Sequence, residues 1–325
     1  MALLEVRNLK TYFFGQRGIV KAVDDVSFNL TSGKTLGLVG ESGCGKSMSC
    51  LSILRLVPEP GRTVGGEVLF QGEDLLKKSE REMRDIRGSK ISIILQDLSS
   101  LNPSFSIGHQ VAEAIRIHQG LKGQSLWRRA VEALNLVRIP SPQERLGDYP
   151  HKLSGGMRQR VVGAIAFSCE PNLLIADEPT TALDVTTQAV YLGLLKDIQK
   201  ERNLAMIFVT HDFGIVAMMC DEVAVMYAGR IVEKASVREI FDHPVHPYTR
   251  ALMNSVPQLE AGVKRLHSIP GQPPDLYASP PGCAFRPRCE EVDDCCIPDE
   301  YPPEIEIDQS EHWVRCWRVV RSTGS

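Results

Sequence analysis

The amino-acid sequence predicts an α/β fold with an inserted helical subdomain and a small Pro- and Cys-rich C-terminal extension. The prediction rests on three features. Up to about residue 256, short β-branched runs alternate with Gly-rich turns and with stretches whose apolar spacing is near 3.6. Between about Leu98 and Cys169 the pattern becomes helical throughout. Beyond Val256, ten of the twenty prolines crowd between Pro257 and Pro303, which forbids long helices and favours extended, turn-rich chain. At ~150 residues per domain, 325 residues suggest two domains, placed at 1–256 and 257–325.

Met1–Lys10 alternates apolar and polar residues and reads as a first strand, with no basic region and apolar core of a secretory signal. Leu36–Val39 is a compact apolar strand, followed by a Gly-rich turn and a helix from about Lys46 to Leu56. Val111–Gln119 and Ser125–Val137 are the candidate helices of the inserted subdomain, about 98–169. Ile91–Leu95, Leu173–Ala176 and Met206–Thr210 are apolar throughout, as in a sheet covered on both faces. Residues 259–325 hold 7 basic and 12 acidic side chains and little apolar material, so a metal staple would help them fold.

Composition excludes several classes. With 43% hydrophobic and 24% charged residues the chain is not disordered. A net charge of −3 argues against a protein that coats nucleic acid, and no nucleic-acid partner is expected. No apolar run approaches the ~18 residues of a membrane span, so the chain is expected to stay in the cytosol and to meet a membrane only through a partner.

Gly40-Glu41-Ser42-Gly43-Cys44-Gly45-Lys46-Ser47 follows one predicted strand and opens a predicted helix, which is the context a phosphate-binding loop requires. Glycines let backbone N–H groups turn toward one anion, and the helix N-terminus adds positive potential. Lys46 is expected to reach the β- and γ-phosphates of ATP, and the Ser47 hydroxyl to ligate Mg²⁺. Asp177-Glu178 ends an apolar strand; adjacent acids there point in different directions, so Asp177 would hold the Mg²⁺ shell and Glu178 polarise the attacking water. Alone, such a pair is commonly a solvated turn, but the upstream phosphate loop reverses that balance. Ser154-Gly155-Gly156-Met157 at a helix start is a second anion-binding candidate, or simply a helix N-cap at Ser154.

That last segment, with the two motifs around it, resembles the signature of ATP-binding cassette (ABC) ATPases over roughly residues 3–240. The resemblance implies a RecA-like core, a helical subdomain and antiparallel β elements. It makes Gln96 the residue that senses Mg²⁺ and contacts membrane subunits, Ala182-Leu183-Asp184 the D-loop, and His211 the switch histidine. Phe13 would stack on adenine, with Tyr12 its competitor. It also implies head-to-tail cassette dimers, in which Ser154, Gly155, Gly156 and Met157 serve the ATP bound mainly by the partner.

His243-Pro244-Val245-His246-Pro247-Tyr248, then Pro270-Gly271 and Gly282-Cys283-Ala284-Phe285-Arg286-Pro287-Arg288-Cys289, resemble the C-terminal extension of oligopeptide/dipeptide importer ATPases. Nickel importers share it, and some oligosaccharide importers resemble it. The implied partners are a second, related ATPase (or a second copy), two permeases and an extracytoplasmic solute-binding protein, with the chain at the cytoplasmic face of the membrane. A soluble, non-transport cassette is disfavoured, because the chain has one phosphate loop and no sustained heptad.

Cys283, Cys289, Cys296 and Cys316 are separated by five, six and nineteen residues. Four thiolates suit Zn²⁺ or a [4Fe–4S] cluster, and the spacing does not choose between them. The subfamily resemblance implies [4Fe–4S], with Cys295 able to replace Cys296. After Gln96 this chain reads Asp97-Leu98-Ser99-Ser100-Leu101, one residue shorter than the subfamily pattern and without its first proline. That difference bears on the groove for the permease.

Overall fold

Leucine and valine at 36, 38 and 39 leave no polar face, and in the computed structural model Thr35–Val39 is a strand buried at every position. The structure describes residues 2–96, 101–255, 269–277, 280–297, 299–307 and 311–323. The shortened segment at 97–100 and the expected domain boundary near 256–257 lie outside them. Two compact units emerge: one of residues 2–30, 35–76 and 209–325, the other of 31–34 and 77–208.

In the first unit, strands Ala2–Gly15 and Gly61–Phe70 run antiparallel, flanked by Gly18–Thr31 on one side and Glu73–Asp74 on the other. Thr35–Val39 pairs in parallel with Glu222–Tyr227, and the latter pairs antiparallel with Arg230–Ser236. The helix expected from Lys46 to Leu56 ends at Ile53, where Leu54 caps it.

The C-terminal extension departs from the expected separate module. Trp313–Val314 adds antiparallel to Arg230–Ser236, Ile305–Glu306 adds to Trp313–Val314, and Phe285 packs into one core with Tyr227, Tyr248 and Val232. A segment so poor in apolar residues cannot build its own core, so it borrows one.

That join is held by a buried carboxylate. Glu233 is 0% exposed and accepts from the backbone N–H of Val245 (2.7 Å) and His246 (2.9 Å) and from Nε2 of His312 (2.8 Å). Burial alone would raise its pKa, but these donors hold it below the usual carboxylate range. Beside it, His246 Nδ1 accepts from the N–H of Tyr248 at 3.0 Å, which leaves Nε2 buried with no partner. Burial pushes His246 down to about 4. The unfolded chain therefore takes up this proton first, and stability falls as pH drops from about 6.5 toward 4. We expect a loss of about 2 kcal/mol from this residue between pH 7 and pH 5. Urea midpoints at the two pH values should converge in His246→Asn; an undiminished pH effect in that variant would refute the assignment.

In the second unit, Ile91–Ile94 and Leu173–Asp177 pair in parallel, Ile91 opposite Leu173 and Ile94 opposite Ala176. The inserted subdomain is present as Ile107–Gln119, Gly123–Leu136, Pro142–Arg145 and Gly155–Phe167. The first of these begins four residues before the expected Val111, because Ser106 caps it by accepting from the N–H of His109, and Gly120 at φ 66° ends it. Ile107, Val111, Ala112 and Ile115 form its buried stripe. Among the described residues no helix is long and apolar enough to cross a membrane.

Candidate nucleotide site and cysteine group

Gly40–Ser47 links strand Thr35–Val39 to helix Lys46–Ile53. The loop is threaded past other backbone: a Cβ at Gly40 would collide with the Met226 carbonyl, and one at Gly45 with the Ala22 carbonyl. Both glycines also sit at positive φ, 152° and 107°. Lys46 is 5% exposed, and its Nζ donates to the carbonyls of Gly40 (2.8 Å) and Glu41 (3.0 Å), which places the ammonium within the loop. Ser42, Gly43 and Ser47 are exposed. Cys44 is buried, and burial raises its thiol, so it is an unreactive packing residue of the loop.

In the same unit, Phe13 is half-buried with its ring against Gly61, where a Cβ would come within 2.6 Å of Phe13 Cε1. The competitor Tyr12 spends its hydroxyl on Asp24 Oδ1 at 2.6 Å. His211 is exposed at the turn between strand Ala205–Thr210 and helix Phe213–Met219, which Asp212 caps through the N–H groups of Gly214 and Ile215.

The other unit holds the carboxylates. Asp177 is buried at the end of its strand, while Glu178 is half-buried and turned by a left-handed φ of 45°. Gln96 Nε2 donates to Glu178 Oε2 at 3.1 Å, and Thr181 Oγ1 donates to the same oxygen at 3.0 Å. Ser154 caps helix Gly155–Phe167 by accepting from the N–H of Met157. Asp184 likewise caps helix Val185–Arg202, accepting from Thr187 N–H (3.0 Å) and Oγ1 (2.7 Å). Thr187 joins the two caps, since its Cγ2 occupies the space a Cβ at Gly156 would need, while Gly155 has open space around it.

Five cysteines gather in the tail, all with free thiols. Burial pushes Cys283 up to about 11, and Cys316 and Cys289 add to the rise. Cys289 is raised by burial with Cys316 and Cys296 contributing, and Cys316 by burial with Cys296 contributing. Among the described residues, the donor atoms of Cys283, Cys289, Cys296 and Cys316 do not all come within 4.8 Å of one another. A bound cation would invert the effect of burial and draw thiolates out of such cysteines. Asp293, Cys295 and Cys296 bring their donor atoms within 4.8 Å of one another.

Residues 23–181 match the ABC transporter family, and residues 232–296 match the oligopeptide/dipeptide transporter C-terminal region. The chain is 51% identical over 319 residues to a probable peptide ABC transporter ATP-binding protein of Sinorhizobium fredii, covering 97% of this chain and 95% of that one. It belongs to the ABC transporter ATPases. It is also 47% identical over 317 residues to the dipeptide transport ATP-binding protein DppD of Bacillus subtilis, covering 97% of this chain and 94% of that one. A dimeric ATP-binding cassette solved in a post-hydrolysis state with ADP and Pi aligns with a TM-score of 0.65 and 26% identity, over 72% of this chain and 99% of the other.

Within this ABC ATPase, the first family match takes in Gly40–Ser47, Gln96, Ser154–Met157 and Asp177-Glu178, and the second takes in Cys283, Cys289 and Cys296. Sequence reasoning missed Thr181 and Thr187, and it quoted Tyr248 and Arg288 only within the motifs of the extension, with no contact to the phosphate loop. A hydroxyl three residues after Glu178 was a readable signal for Thr181, and one three residues after a capping Asp for Thr187. Tyr248 and Arg288 reach the phosphate loop across 207 and 247 residues, and no local pattern announces them.

Proposed function

We propose that this ABC ATPase energises import of di- and oligopeptides from the cytoplasmic face of the cell membrane. It would act as one of a pair of related ATPases on two permeases, with an external solute-binding protein delivering the peptide. Identity of about half over nearly the whole length of peptide-transport ATP-binding proteins, cassette and tail together, supports the reading. On the inserted subdomain, Phe105 is 55% exposed and opens, with His109, Leu126 and Trp127, a cavity of about 430 Å³ suited to an apolar permease segment.

ATP is the substrate. In this reading its triphosphate lies in Gly40–Ser47 with Lys46 on the β- and γ-oxygens, and its adenine stacks on Phe13. Ser47, Gln96 and Asp177 would hold Mg²⁺, whose charge offsets that of the phosphates. Glu178, whose Oε2 accepts from Gln96 Nε2 and Thr181 Oγ1, takes the proton from the attacking water. His211 faces the γ-phosphate. Ser154, Gly155, Gly156 and Met157 serve the partner's ATP, and Asp184 lies at the dimer seam. Closure on two ATPs and reopening after hydrolysis would drive the permeases. Cys283, Cys289, Cys296 and Cys316 would hold a [4Fe–4S] cluster that staples the tail.

The test is uptake of a labelled dipeptide and a labelled pentapeptide into proteoliposomes carrying the full transporter, with binding protein and ATP on their proper sides. ATP-dependent accumulation of either is expected. Accumulation of nickel or an oligosaccharide instead, with intact ATPase, would overturn the peptide reading.

A further inference from the structure

A carboxylate inside a phosphate loop is an electrostatic oddity, because Glu41 would repel the charge the loop is built to receive. The structure disposes of that charge. Arg288, buried in the C-terminal extension, makes a two-pronged bond to it: Nη1 donates to Glu41 Oε2 at 2.7 Å and Nη2 to Oε1 at 2.9 Å. Arg288 is itself fixed by Nε to the Pro270 carbonyl (2.9 Å) and by Nη1 to the Tyr227 hydroxyl (3.2 Å). The backbone N–H of Glu41 donates to the hydroxyl of Tyr248 at 2.9 Å. Tyr227, Tyr248 and Phe285 pack as one aromatic group, with ring centroids 4.6, 5.3 and 5.2 Å apart. Glu41 is thus gripped at both its side chain and its backbone. The Glu41 carbonyl in turn accepts from Lys46, so the grip passes directly to the phosphate-binding ammonium.

We propose that Arg288 is a positioning residue for the nucleotide site: its bond to Glu41 cancels that carboxylate and holds the phosphate loop in the shape that receives the triphosphate. The proposal rests on the reading of Gly40–Ser47 as the triphosphate cradle. It gives the extension a direct part in ATP binding, since Arg288 lies in the short turn Arg286–Arg288 between Cys283 and Cys289. Arg286 N–H donates to the Cys283 carbonyl at 3.0 Å and Cys289 N–H to the Arg286 carbonyl at 3.3 Å, so Arg288 shares one hydrogen-bonded turn with these two cysteines.

The experiment measures kcat and the KM for ATP of the whole transporter carrying variants of this chain. Arg288→Ala should raise KM about tenfold with kcat nearly unchanged, because an unpaired carboxylate now faces the phosphates. Arg288→Lys keeps the charge without the two-pronged geometry and should fall between. Glu41→Gln placed in the Arg288→Ala background should recover most of the lost affinity, which a merely unfolded tail would not allow. An unchanged KM in Arg288→Ala, or no recovery in the double variant, overturns the proposal. Retention of ATP affinity in Lys46→Ala would instead overturn the cradle reading, and the proposal with it.

Discussion

Replacing Glu178 by Gln should cut ATP turnover by about 10²–10⁴-fold while nucleotide binding persists. The substitution is nearly isosteric, and the amide keeps an oxygen for the two donors that now hold Glu178 Oε2, Gln96 at 3.1 Å and Thr181 at 3.0 Å. What it removes is the negative charge that, in the proposed mechanism, takes the proton from water. The loss should therefore fall on kcat, with ATP affinity retained, and ATP should hold the variant as a closed dimer visible by size-exclusion chromatography. Undiminished turnover would refute the assigned role. Glu178 also carries a left-handed backbone, φ 45°, and stays half-buried where Asp177 beside it is buried, which is compatible with the proposed division between metal binding and proton removal.

Anaerobically purified chain should contain about four irons and four acid-labile sulfides, with broad visible absorption bleached by dithionite. Cys283→Ser should lose the iron and the absorption together. The thiols set a second readout. Cys283, pushed up to about 11 by burial, and its neighbours Cys289 and Cys316, also raised, are protonated at neutral pH when no metal holds them. Loading the site must then release protons, measurable in weak buffer, and the yield should fall in Cys283→Ser. One zinc per chain without sulfide would overturn the cluster and leave the ATPase reading intact.

The legible parts of this protein are those written in contiguous residues. Gly40–Ser47 announces a phosphate loop because strand, glycines, lysine and helix follow one another, and Asp177-Glu178 stands out as two acids closing an apolar run. Boundaries were less legible. Apolar spacing marks the helix Ile107–Gln119 only from Val111, because its start is set by the hydrogen bond that Ser106 Oγ accepts from the His109 N–H. Contacts between distant residues were not legible at all. Proline and cysteine content described the tail as a module of its own, yet Trp313–Val314 pairs with Arg230–Ser236. Glu41 reads in the sequence only as a member of the phosphate loop, and nothing near it announces its bond to Arg288, 247 residues away.

That strand pairing has a consequence for how the protein is made. Trp313–Val314 leaves the ribosome some eighty residues after its pairing partner Arg230–Ser236. Until Trp313–Val314 emerges, Arg230–Ser236 waits with backbone N–H and carbonyl groups open on the side that Trp313–Val314 will cover. Tyr227 and Tyr248 wait with it for the ring of Phe285. A nascent chain stopped before the tail carries every nucleotide motif but exposes a sticky edge, so premature termination yields a substrate for chaperones and proteases rather than a shorter working ATPase.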